Sequence, residues 1–122
     1  MGIQTALIRE GERLEELNGP SLVILQKEKA FHYGTDAVLL ADFAQPRPRE
    51  RMVDLGTGTG IIALLCASRQ EGLCCTAVEI QPEMADMAAR SVQLNGIEGR
   101  VQVLCEDFRL AHRVLGCEKY TL

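Results

Sequence analysis

Three short apolar runs, Met52–Leu55, Cys74–Val78 and Val101–Leu104, recur along the second half of the chain, each followed by a stretch of helical period. Short, mostly apolar runs of this length suit strands buried on both faces. Strand alternating with helix implies a parallel sheet with right-handed crossovers. The first run breaks into "VDLGTGTG", with glycines at every second position from Gly56 to Gly60. Glycine permits a tight turn and lets a ligand lie against bare backbone. The helix that opens at Ile61 offers free N–H groups and a positive dipole end. In a parallel sheet, ligands bind beyond the carboxyl ends of the strands, which is where this loop falls.

The elements follow from local signals. Ile61–Arg69 reads as a helix with Ile61, Leu64, Leu65 and Ser68 on one side, stopped by Gly72. The second strand ends in Glu79. Pro82 suits the first turn of the next helix, where its missing N–H is not needed. That helix runs to about Leu94, and Asn95-Gly96 closes it with a left-handed residue. Cys105-Glu106-Asp107 follows the third strand, then a short helix around Phe108–Leu115. Upstream, "ERLEELNGPSLVILQ" holds two candidate strands, Arg13–Leu17 and Leu22–Gln26, around an Asn18-Gly19 hairpin signal. Thr35 or Asp36 caps a helix carrying Ala37, Leu40, Ala41 and Ala44, which Pro46 and Pro48 end. The expected fold is therefore α/β: a Rossmann-like parallel sheet of strands one to three and the opening of a fourth near Glu118–Leu122, with an N-terminal β-hairpin and helix. Residues 1–50 form the hairpin and helix, and 51–122 the sheet-bearing half-domain.

Composition sets outer limits. The 122 residues fit one domain, and 47% apolar with 25% charged residues is ordinary for a packed core. A net charge of −4 argues against a broadly basic nucleic-acid surface. The one basic cluster is "PRPRER", with Arg47, Arg49 and Arg51, read as a solvated connector, with contact to RNA as the less favoured alternative. No stretch reaches the roughly 18 apolar residues that a membrane span needs, and Met1–Arg9 lacks the pattern of a signal peptide. The cysteines number five, an odd count without a C-x-x-C pair. Small buried thiols in a reducing cytoplasm explain them best. His32 and His112 lack ligand spacing, so no metal site is expected.

Two ligand classes use a glycine loop after a strand. The dinucleotide fingerprint is G-x-G-x-x-G, but its third glycine falls on Ile61 here. Asp54, two residues before the first glycine, would repel a pyrophosphate and suits a cationic amine instead. No G-K-[ST] follows, which excludes a phosphate-binding Walker loop. The stretch "VDLGTGTG" resembles the first motif of the S-adenosyl-L-methionine (SAM)-dependent methyltransferases with a Rossmann-like fold. The resemblance implies that Gly56, Thr57, Gly58 and Gly60 wrap the methionine moiety while Asp54 holds its amino group. It also implies that Glu79 accepts the ribose hydroxyls, Ile80 packs on the adenine, Asp107 meets the adenine amine and Phe108 lines the ring. A NAD-dependent oxidoreductase is the weaker enzymatic alternative.

The segment "LVILQKEKAFHYGTDAVLLADFA" narrows the resemblance. It is similar to the opening of the methyltransferases that modify the exocyclic amine of an adenine in transfer RNA. The likeness implies that the turn Tyr33–Asp36, with Tyr33 and Thr35, folds over the cofactor. Those enzymes also carry Asn-Pro-Pro-Tyr after their fourth strand, where it holds the target amine. None of Pro20, Pro46, Pro48 and Pro82 lies in such a context. The chain is thus expected to be the cofactor half of a longer enzyme, inactive alone and without a catalytic residue of its own. A non-catalytic SAM-binding or scaffold module is the other alternative. The open edge of the first strand, with Leu64 and Leu65 nearby, is expected to be exposed and to favour a homodimer.

Overall fold

The computed structural model describes residues 7–17, 22–28 and 35–110. Three parallel strands form the sheet: β3 (Arg51–Leu55), β4 (Cys74–Glu79) and β5 (Val101–Cys105), in the order β3-β4-β5. A separate antiparallel pair, β1 (Glu12–Glu16) and β2 (Val23–Lys27), makes the hairpin. Its strands are shifted by one residue from the expected positions, and its turn at Asn18-Gly19 lies outside the described residues. The helices are α1 (Thr35–Ala44), α2 (Ile61–Arg69) and α3 (Pro82–Leu94). Pro82 opens α3, and Gly96 (φ 68°) follows it in the left-handed conformation that closes the helix. A 3₁₀ turn, Phe108–Leu110, follows β5. The rest of the expected Phe108–Leu115 helix and the fourth-strand segment Glu118–Leu122 fall outside the described residues. No helix among the described residues is long and apolar enough to cross a membrane.

One apolar core joins these parts. Ile24 of the hairpin and Ala41 of α1 share it with Met52, Leu64, Leu73, Ala77 and Val101. Burial on α2 is nearly all round, because the helix is pressed between the sheet and α1: Ile61, Ala63, Leu64, Leu65, Cys66 and Ala67 are all buried. Two expectations are corrected here. Ser68 is exposed, and Leu64 and Leu65 are 0% and 4% exposed rather than forming a surface patch. Three exposed apolar side chains lie instead on α1, at Leu39, Leu40 and Phe43. The thiols also divide: Cys66 and Cys75 are buried, whereas Cys74 and Cys105 are exposed because they start one strand and end another. Cys117 lies outside the described residues. Burial raises the Cys66 thiol and pushes Cys75 up to about 12, which disfavours the thiolate in both.

The hairpin is fastened to α3 by side chains rather than by a ladder. The edge of β2 presents two N–H groups to the helix: Val23 donates to Asn95 Oδ1 (2.9 Å) and Leu25 to Ser91 Oγ (2.9 Å). Asn95 Nδ2 donates back to the Val23 carbonyl (2.6 Å), so its amide stands in for a neighbouring strand. Arg90 then reaches Glu12 of β1 through two nitrogens, at 2.5 and 2.6 Å. It also donates to the Leu7 carbonyl (2.7 Å) and to Asp86 (3.0 Å). Lys27 pairs with Glu83 at the other end of α3. Parallel ion pairs and hydrogen bonds along one helix thus fix where the chain leaves the hairpin for α1.

Candidate functional site

The loop after β3 is built by backbone bonds that only its own spacing allows. Gly56 and Thr57 both donate to the Val78 carbonyl (2.8 and 2.9 Å), which turns the chain over the end of β4. Gly60 donates to the Thr57 carbonyl (2.9 Å), and its own carbonyl accepts from Leu64, the first helical bond of α2. Gly60 holds φ at 93°, a region that L side chains avoid, and a Cβ there would stand in ordinary contact with Ala88 at 3.4 Å. Glycine is needed at this position for its backbone conformation rather than for want of space. Gly56 and Gly58 also have positive φ, but a Cβ on either would meet nothing within 4 Å. The space over these two residues is open, as a backbone cradle for a ligand requires. No side chain caps α2, so its first N–H groups face the loop.

Two carboxylates close the cradle from below. Asp54, near the end of β3, accepts the Thr57 hydroxyl at 2.7 Å. Burial raises its pKa above the usual carboxylate range, with the Thr57 bond opposing the shift and the charge of Glu79 adding to it. Glu79, at the end of β4, is 8% exposed. One of its oxygens accepts the Gly58 N–H (2.9 Å) and the other the Gln81 N–H (3.1 Å). Glu79 therefore locks the loop to the following turn, and each oxygen keeps acceptor capacity for a ligand hydroxyl. Sequence reading places Glu79 beside the loop but misses this bond, because a carboxylate at a strand end carries no sign of its backbone partner.

The remaining expected positions sort as follows. Ile80 is an apolar side chain 58% exposed directly after Glu79. Leu55 is similarly exposed at the end of β3, and sequence reading gave it no part in the site. Glu106 donates its N–H to the Glu79 carbonyl (3.1 Å), which brings the exit of β5 alongside. Asp107 is held by Arg109 through bonds of 2.5–3.1 Å, and this guanidinium keeps its carboxyl below the usual range. Phe108 begins the 3₁₀ turn and Thr35 begins α1. Tyr33 lies outside the described residues. A cavity of about 570 Å³ lies elsewhere, between α1, the connector and the far end of α2, lined by residues including Ala41, Cys66 and Arg69. It lacks the bare backbone, free helix N-terminus and paired acids of the glycine loop.

The fold and loop define the class: a Rossmann-like parallel sheet with its binding crevice at the carboxyl ends of β3, β4 and β5. Within that class the chain belongs to the methyltransferase small domain family, whose model matches residues 27–113. It is 38% identical over 81 residues to the tRNA1(Val) (adenine(37)-N6)-methyltransferase of Bacteroides fragilis, covering 66% of this chain and 34% of that protein. The chain thus spans about a third of the length of the curated relatives it matches. A SAM-dependent methyltransferase structure from Agrobacterium tumefaciens has a TM-score of 0.65 at 19% identity, over 86% of this chain and 37% of its own. Another, from Thiobacillus denitrificans in complex with S-adenosyl-L-homocysteine, has a TM-score of 0.57 at 22% identity, over 72% and 34%. These two likenesses speak for the fold.

Proposed function

We propose that this chain supplies the cofactor-binding part of a SAM-dependent methyltransferase acting on the exocyclic amine of an adenine in transfer RNA. The observation that carries the reading is the Gly58–Glu79 bond beside the open backbone of Gly56 and Gly58. It supports placing the methionine part of the ligand on the loop and the ribose at Glu79. Asp54 is suited to the ligand ammonium, directly or through water, and Ile80 to the adenine face. Methyl transfer is a displacement at a sulfonium carbon, so the protein's work is alignment of donor and acceptor. The donor supplies an activated methyl group, and the residues here hold it in place and keep its charged amine partnered. Likeness to the tRNA1(Val) (adenine(37)-N6)-methyltransferase favours transfer RNA as the acceptor.

Titration calorimetry with S-adenosyl-L-homocysteine tests this. Asp54→Asn and Glu79→Gln are each expected to weaken binding by about 1–3 kcal/mol, the usual effect of removing one partner from a desolvated polar contact. Unchanged affinity in both variants would show the ligand to be elsewhere, and binding of NAD instead would favour the oxidoreductase. Asp54 makes a second expectation. Its carboxyl has a raised pKa, so the ionised form opposes folding above that value and stability grows as pH falls through it. Asp54→Asn should therefore melt higher than wild type at neutral pH without ligand, while binding more weakly. A lower melting temperature would show that the Thr57 bond needs the charge.

The outer edge of β3 has no neighbouring strand among the described residues. Such an edge on a parallel sheet favours association with a second copy. Light scattering at micromolar concentration is expected to give about twice the 13.4 kDa of one chain, and a single-chain mass would exclude the dimer.

A further inference from the structure

We propose that the connector between α1 and β3 contacts the phosphate backbone of RNA, with Arg47 and Arg49 as its two fixed cations. The inference rests on the reading of the substrate as RNA and adds a surface to it. Both arginines are exposed, and no described carboxylate pairs with either guanidinium. They flank Pro48 and line a surface groove of about 320 Å³.

The backbone that carries them is tied down. Arg47 donates its N–H to Glu50 Oε2 (2.8 Å), Glu50 donates to the Arg47 carbonyl (3.2 Å) and Arg49 to the Glu71 carbonyl (3.3 Å). The carboxylate of Glu50 is thus engaged with backbone rather than with a guanidinium. Gln45 (φ 40°) and Arg49 (φ 63°) sit in the left-handed region, which residues with long side chains seldom adopt. Strained backbone of this kind persists where surroundings over-determine it, and it gathers at ligand clamps. Gly72 supplies those surroundings. A Cβ there would lie 2.7 Å from Arg49 Cγ, so the arginine stem is laid across a residue that has no side chain. The Arg49 stem thus rests on Gly72 while the residue stays exposed, which reduces the ordering needed on binding.

Asp54, Glu79, Glu106 and Asp107 lie at the carboxyl ends of the strands, whereas the connector, whose arginines sit beside Glu50 and Glu71, lies at the opposite end of β3. Four steps of about 3.3 Å separate Arg51 from Leu55, or about 13 Å. A nucleic acid strand carries a phosphate every few ångströms, so one strand reaches from the crevice to the connector. Arginine suits phosphate because its planar fork donates two bonds at once. Such contacts fix register and affinity without reading sequence.

The test is fluorescence anisotropy of the 122-residue chain with unmodified transfer RNA across a salt series. Each lost phosphate contact lowers the slope of log affinity against log salt by roughly 0.7–0.9. R47A/R49A should therefore lower it by about 1.4–1.8 and weaken binding about tenfold or more at low salt. R47K/R49K should recover most of the salt slope. S-adenosyl-L-homocysteine titrated into R47A/R49A should bind as in wild type, which establishes that the variant is folded. Equal affinity and slope in wild type and R47A/R49A would overturn the proposal, as would absence of RNA binding by the wild-type chain. Failure of the cofactor reading is seen separately, as loss of S-adenosyl-L-homocysteine binding by wild type.

Discussion

Arg90→Ala is expected to destabilise the chain by about 3–5 kcal/mol, the usual result of stripping one partner from a buried ion pair. The side chains of Arg90 and Glu12 are 8% and 5% exposed, so the variant leaves a carboxylate out of water without its main cation. It also removes the donor to the Leu7 carbonyl. The hairpin should loosen from α3, and chemical denaturation should report the change. A loss below about 1 kcal/mol would mean that water reaches Glu12. Arg90→Met combined with Glu12→Leu should restore most of the stability, since an apolar pair of similar volume often replaces a buried ion pair without loss. The pair also sets an acid limit. Arg90 holds the Glu12 carboxyl below its ordinary value of 4.5. Its stabilisation is fully present above that pH and is lost as pH falls through the lowered value.

Leu64→Ala is expected to destabilise by about 2–5 kcal/mol, from lost burial and the cavity left behind. Leu64 is fully buried, and its N–H makes the first helical bond to Gly60. Its Cδ1 lies 4.0 Å from where a Cβ on Gly60 would stand, so it supports the loop from inside. The variant should therefore lose ligand affinity as well as stability. Saturating S-adenosyl-L-homocysteine should return part of the melting temperature, about 2.7 kcal/mol at a hundredfold excess over Kd. Loss of stability with affinity unchanged would show that the loop stands independently of the core beneath it.

What the sequence discloses and what it hides divide along physical lines. Signals that act within a few residues are legible. The apolar runs give β3, β4 and β5 to within a residue, Pro82 gives the start of α3, and Gly60 announces a position where only glycine fits. Bonds that span the chain are not legible. Ser91 and Asn95 read as ordinary polar residues on a helix, and only folding shows them capping the edge of β2. The bond from Gly58 to Glu79 is hidden for the same reason. Burial on α2 was misjudged because a period of 3.6 describes a helix with one covered face, whereas this one is covered by the sheet and by α1 together. The same helical period gave no warning that Leu39, Leu40 and Phe43 of α1 would stand exposed.

Amide chemical-shift mapping is the most direct measurement of the central claim, that the glycine loop and the acids beneath it hold the cofactor. S-adenosyl-L-homocysteine added to the isotope-labelled chain should shift the amides of Gly56, Gly58 and Gly60, the first residues of α2, and Glu79 to Gln81. Amides lining the cavity between α1 and the far end of α2, such as those of Ala41 and Arg69, should stay in place. Shifts confined to that cavity, or none at saturating ligand, would contradict the account.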